Sequence, residues 1–168
     1  VAAKADVLVT LGGASVGDHD LVQDVLGSQG MELAFWRIAM RPGKPLMAGH
    51  IGSMRVLGLP GNPVSSLVCS LLFLKPLLLA LQGMEIPARI TETARLGADL
   101  AANDRREDYI RARLSHDDQG NIFATAFERQ DSSMLATMTA ADALIVRYPH
   151  APAANAGEIV PILRLDIR

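Results

Sequence analysis

The chain has 168 residues, a formal charge of −2, an apolar share of 49% and one cysteine. That length suits one domain or two small ones, each able to bury its own core. A lone Cys69 excludes an intrachain disulfide framework. Near-neutral charge argues against nucleic acid or a membrane surface as partner. The sequence opens at Val1 without Met, a basic segment or an apolar leader. No signal peptide is therefore expected, and a cytoplasmic location is.

Composition divides the chain. Residues 1–83 hold 11 charged side chains and a net charge of +1, whereas residues 84–168 hold 23 and a net −3. All three lysines and eleven of the fourteen glycines fall in the first part. The seam lies at Leu81-Gln82-Gly83-Met84-Glu85-Ile86-Pro87, a helix stop followed by a linker-like stretch. Two domains are expected, 1–83 and 84–168.

In chain order, Ala5–Leu11 is a continuous apolar run ending in Gly12-Gly13, the pattern of a buried parallel strand. Asp20–Ser28 reads as a short amphipathic helix and Met31–Ile38 as a strand. Pro45–His50 and Met54–Leu59 form a strand pair joined at Ile51-Gly52-Ser53. Asn62 caps a helix with Pro63 at its first position, running through Val64–Leu81. Its eighteen residues are near the lower limit for a membrane span, but Ser65, Ser66, Ser70, Lys75 and Pro76 favour a buried core helix, kinked at Pro76. These elements make an α/β domain, part of a three-layer, mostly parallel sheet.

The second part contains strand-like runs at Arg89–Arg95, Tyr109–Ser115, Ile122–Phe127, Ala143–Tyr148 and Glu158–Leu165. Asp117–Asn121 reads as a hairpin loop between two of them. A small β-rich, barrel-like domain is expected.

Three loops gather chemistry. They are Gly12-Gly13-Ala14-Ser15-Val16-Gly17-Asp18-His19-Asp20, Arg41-Pro42-Gly43-Lys44-Pro45, and Gly58-Leu59-Pro60-Gly61-Asn62-Pro63-Val64-Ser65. Ligands of open α/β sheets sit beyond the carboxyl ends of strands, where the first and third loops fall. Glycine turns free backbone N–H groups for an anion, and the helix after Asn62 adds its dipole. Arg41 and Lys44 supply positive charge for a phosphate or oxyanion. Asp18 and Asp20 are hard oxygen ligands suited to Mg²⁺, although Asp20 serves equally as a helix N-cap. Gly13–Gly17 also fits G-x-S-x-G, but Val16-Gly17-Asp18 delays the helix that a nucleophile elbow requires. The four histidines are scattered without zinc-ligand spacing. Cys69 and Met40, Met47 and Met54 read as packing residues.

Taken together with Phe35–Arg41, the three loops resemble those of the molybdopterin molybdenumtransferase (MoeA / gephyrin E-domain) family, in order and spacing. Tyr109-Ile110-Arg111-Ala112-Arg113 and Gln130-Asp131-Ser132-Ser133-Met134-Leu135 extend the likeness into the second part. The resemblance implies the last step of molybdenum cofactor synthesis. Molybdate is inserted into adenylylated molybdopterin, with Mg²⁺-dependent cleavage and release of AMP. It implies Asp20 and Lys44 as catalytic, with Asp20 also at the metal. It implies Arg41, Lys44, Pro45, Ser65, Arg111 and either Ser132 or Ser133 at the oxyanion, and Gly12, Gly13, Ser15, Gly61 and Asn62 along the pterin-phosphate and nucleotide cleft. Arg41 stands where lysine is common. The family's earlier strand, its G-D-E loop and two further domains are not in these residues. The chain is thus expected to be a C-terminal portion of a homodimeric enzyme, short of some acid groups. Two rivals are a molybdopterin adenylyltransferase-like enzyme, against which the β-rich part argues, and a non-catalytic gephyrin-like scaffold module.

Overall fold

A computed structural model describes residues 4–12, 21–86 and 92–165. The strands are β1 Val7–Leu11, β2 Glu32–Trp36, β3 Met40–Arg41, β4 Met47–Ile51, β5 Met54–Leu59, β6 Glu92–Leu96, β7 Glu107–His116, β8 Ile122–Ala126, β9 Ala143–Arg147 and β10 Ile159–Arg164. The helices are α1 Leu21–Ser28, α2 Pro63–Cys69, α3 Lys75–Leu81 and α4 Leu135–Thr139. Two compact units result: Val1–Ile38 with Gly43–Ile86, and Ala39–Pro42 with Pro87–Arg168. The division therefore differs from a single cut at residue 83. Residues 39–42 go with the second unit, because β3 pairs in parallel with β7, Met40 opposite Glu107 and Arg41 opposite Asp108. A two-residue strand has too little periodicity to be seen in sequence.

The first unit is an α/β sheet in the order β1-β5-β4-β2. Its pairing is mixed. β1 and β5 run parallel, from Val7 opposite Arg55 to Leu11 opposite Leu59. The Gly52 turn, at φ 56°, reverses the chain so that β4 and β5 pair antiparallel, and β2 joins β4 in the same sense. Leu26 of α1 packs with Met47, Met54 and Val56, flanked by Leu8, Val22, Met31, Trp36 and Ile51. Burying each such side chain contributes roughly 1.5–3 kcal/mol. From α2, Val64, Ser65, Val68 and Cys69 are buried.

Pro76 leaves its mark one turn upstream. Residues Ser70–Leu74 form a π-turn, and the Lys75 N–H donates to the Ser70 carbonyl, five residues back. Proline has no N–H to return to the preceding turn and crowds it, and a π-bulge is a known way to absorb such a fault. The whole helix, Pro63–Leu81, is long and apolar enough to cross a membrane, with a mean hydropathy of 2.1, and 28% of it is buried. The core-helix expectation fits α2; no residue of α3 is buried.

The second unit closes on itself. β7, β8, β6, β10 and β9 follow one another, and β9 returns to β7, giving a five-stranded barrel. Alternate residues point inward, and the filling is Ala94, Leu96, Ala112, Ala124, Ala143, Ile145, Ala154, Val160 and Ile162. Five of these nine are alanine because so narrow a barrel leaves little interior space. Asp117–Asn121 joins β7 to β8 as the expected hairpin, with Asp117 Oδ1 accepting from the Gln119 and Asn121 N–H groups. The short α4 was not legible in the sequence; five residues carry too little pattern.

Candidate functional site

In the first unit, the loops following β1 and β5 come together. Gly12 N donates to the Leu59 carbonyl at 2.9 Å. A Cβ on Gly61 would lie 3.3 Å from Gly12 Cα, a tight approach that one of the two loops would have to yield to. Gly12 also has φ 77°, the left-handed region that glycine enters without steric cost. Parallel strands place both loops at one edge of the sheet, the carboxyl edge where the third expected residue, Asn62, follows.

Two polar atoms at this edge are buried without a partner among the described residues: Thr10 Oγ1 and Asn62 Oδ1. Asn62 precedes α2 with extended backbone, but its side chain makes no cap hydrogen bond. The N-cap reading is corrected to this extent: the position is that of a cap, while the carboxamide oxygen is left over. Buried acceptors without donors are costly, at roughly 1–3 kcal/mol each, and so mark places where a ligand or water completes the pattern. Thr10 was not singled out by sequence; its register opposite Gly58, where a Cβ would lie 3.3 Å from its hydroxyl, is a tertiary fact.

Ser65 is buried on α2. Lys44 and Pro45 lie between β3 and β4, with the Lys44 side chain exposed and its carbonyl accepting from Ile38 N–H at 3.0 Å. Gly43, at φ 116°, is buried beside them and its carbonyl faces Cys69 Sγ at 3.8 Å. Gly13, Ser15 and Asp20 lie outside the described residues, as does the G-x-S-x-G run.

Arg41 belongs to the second unit. Its Nε donates to Asp108 Oδ2 at 3.0 Å, its Nη2 reaches the same oxygen, and Nη1 stands 3.6 Å from Asp104. The hydrogen bond it donates to Asp108 raises the guanidinium's pKa further, so its charge is spent on two carboxylates. Arg41 and Asp108 line a cavity of about 270 Å³ with Asn103, Ile110, Phe127 and Arg147. Sequence reasoning missed Asp104 and Asp108 because the pairing depends on β3 docking beside β7.

Arg111 is buried at 2% exposure, and loss of water lowers its pKa. Nε donates to Gln130 Oε1 at 3.2 Å, and Nη1 donates to the carbonyls of Asp131 at 2.9 Å and Met134 at 3.5 Å. It thereby holds both ends of the turn that carries Ser132 and Ser133. Ser133 is occupied: its N–H and its hydroxyl both donate to Asp131 Oδ1 at 2.8 Å. Ser132 has no hydrogen-bond partner among the described residues, so its hydroxyl is the one available.

A glycine-lined strand edge in an α/β unit and, in a second unit, a closed barrel with a buried arginine and a serine turn make this a two-unit protein of α/β and β-barrel class. Residues 1–80 match the family described as "Probable molybdopterin binding domain" and residues 93–165 that described as "MoeA C-terminal region (domain IV)". The chain is 33% identical to molybdopterin molybdenumtransferase of Haemophilus influenzae, over 95% of its own length and 39% of the relative's. It is 32% identical to the enzyme of the same name from Bacillus subtilis, over 95% and 37%. The crystal structure of the molybdopterin biosynthesis MoeA protein of Pyrococcus horikosii matches with a TM-score of 0.75 at 29% identity, over 96% of this chain and 38% of that one. The chain belongs to the molybdopterin molybdenumtransferase family. It spans about two fifths of the length of the curated relatives it matches.

Proposed function

We propose that this chain works in molybdenum cofactor biosynthesis as part of a transferase that inserts molybdate into adenylylated molybdopterin with release of AMP. The observation that carries this is the Gly12–Gly61 contact at the carboxyl edge of β1 and β5, with Thr10 Oγ1 and Asn62 Oδ1 left unpartnered beside it. There glycines keep side chains away from the backbone at the strand ends, where a phosphate could approach, and two acceptors remain for the donors of a heterocycle or ribose.

Taken separately, each unit carries donors suited to an anion. Lys44 offers an exposed ammonium near the sheet edge, and on the barrel the Ser132 hydroxyl stands on a turn held by Arg111. Such fixed donors stabilise charge on a tetrahedral oxyanion without reorganising. Arg41, by contrast, organises Asp104 and Asp108, and its effect on the oxyanion is indirect. The family match of residues 93–165 to the MoeA C-terminal region favours this transferase over an adenylyltransferase.

Mg²⁺ would supply charge neutralisation at a cleaved pyrophosphate. Among the described residues no three acidic, histidine or cysteine groups gather into a cation site. Asp20, expected to hold the metal, lies outside them. A homodimeric full-length enzyme and a cytoplasmic location complete the proposal.

Equilibrium binding of molybdate tests it. Lys44→Ala is expected to weaken binding at least about tenfold, the loss of a charge-assisted contact of roughly 1.4 kcal/mol. Unchanged affinity would remove Lys44 from the site.

A further inference from the structure

Strand β7 exposes one edge that three different elements share. Residues 107 and 108 pair with β3, and residues 112–116 pair with β8. Arg111 falls in the gap. Its N–H donates to Gln130 Oε1 at 3.0 Å, and its carbonyl accepts from Gln130 Nε2 at 3.0 Å. The Phe127 N–H, just past β8, also donates to the Arg111 carbonyl at 3.0 Å. Gln130 therefore supplies the acceptor for the Arg111 N–H and a second donor to its carbonyl, as a carboxamide with the geometry of a peptide group can. The same side chain does more than complete the ladder. Oε1 also accepts from Arg111 Nε at 3.2 Å, and Nε2 also donates to the Phe127 carbonyl at 2.8 Å.

The guanidinium is consequently fixed from two sides. Gln130 holds Nε, and the carbonyls of Asp131 and Met134 hold Nη1. Nη2 has no partner among the described residues and is not among the buried, unpartnered atoms. Its direction is set by the bonds at the other two nitrogens, since the guanidinium is planar. The turn bearing Ser132 is set by the same bonds.

We propose that Gln130 is a positioning residue for oxyanion binding: by bonding the Arg111 backbone and guanidinium together, it aims Nη2 and the Ser132 hydroxyl at the ligand. This rests on the oxyanion reading above. Neither a hydrocarbon nor a carboxylate replaces it, because the first offers no polar atom and the second no donor.

The test is a double-mutant cycle with the full chain and molybdate as the probe, affinity read by calorimetry. Gln130→Leu is expected to weaken binding about tenfold, as a few net hydrogen bonds would. Ser132→Ala is expected to weaken wild type clearly but to add little in the Gln130→Leu background, because coupled residues are non-additive. A purely structural glutamine would give additive effects, and that result overturns the proposal, as does wild-type affinity in Gln130→Leu. Where Gln130→Leu fails to fold, Gln130→Glu, which keeps the acceptor and loses the donors, reads the same coupling. If Arg111→Lys and Ser132→Ala both bind molybdate as wild type, the oxyanion reading itself falls. If they weaken binding while the Gln130 variants do not, only the positioning role falls.

Discussion

Arg41 and Asp108 face each other across the parallel β3–β7 pair, and the guanidinium grips a single oxygen of that carboxylate with both Nε and Nη2. A cation so engaged is a weaker candidate for ligand binding than its sequence position suggests. Arg41→Ala is expected to lower stability by about 1 kcal/mol, a modest value because its side chain is 45% exposed. Molybdate affinity should fall less than for Lys44→Ala. Urea unfolding and calorimetry on the two variants check this, and lost binding with unchanged stability would show that Arg41 contacts the anion.

The Gly12–Gly61 contact makes a steric prediction. Alanine at Gly12 meets φ 77° and a neighbour at 3.6 Å, and alanine at Gly61 meets Gly12 Cα at 3.3 Å. Gly12→Ala is expected to cost roughly 1–2 kcal/mol from the left-handed backbone. Gly61→Ala should cost less in stability, yet it pushes the two loops apart. Both should weaken binding of a phosphate-bearing nucleotide, measured by titration, with Gly61→Ala showing the larger ratio of affinity loss to stability loss.

Cys69 is fully buried, and desolvation pushes its thiol up to about 12 from an ordinary 9.0. Native protein at pH 8 should resist a thiol-specific reagent that labels it at once in urea. The sign of the pH effect follows. The unfolded state releases this proton near 9 and the folded state near 12, so stability is complete below 9 and declines as pH rises across that interval. The stability difference between wild type and Cys69→Ala should be constant below about pH 8 and shift against wild type as pH rises past 9.

At the acid end, Asp104 is held well below the carboxylate range, chiefly by its hydrogen bond from the Arg106 side chain. A depressed folded pKa means stability that is present above about 3.8 and lost as pH falls further. Asp104→Asn should lower stability slightly at neutral pH and converge with wild type in acid, which flattens the acid limb of the profile. Exposure keeps the effect small, and salt should reduce it.

Much of the architecture was legible from local pattern. Continuous apolar runs, the Gly52 turn and the Asp117–Asn121 loop placed β1, β4, β5, β7 and β8 to within a few residues, because burial on a pleated surface leaves a period in the chain. Pro76 announced a fault in the long helix, and the π-turn is its local consequence. The loop motifs named the family and pointed to Lys44, Arg111 and the serine pair.

Partnership was not legible. Whether β1 meets β5, whether two residues at 40–41 leave one unit for the other, and what holds the turn of Ser132 and Ser133 all depend on groups far apart in sequence. Arg41 and Asp108 are 67 positions apart, and Arg111 and Gln130 are 19. Local sequence sets which side chains can donate, accept or bury. Their pairing is chosen by the strand register and barrel closure that bring them within 3 Å, and a one-dimensional pattern carries no record of that choice.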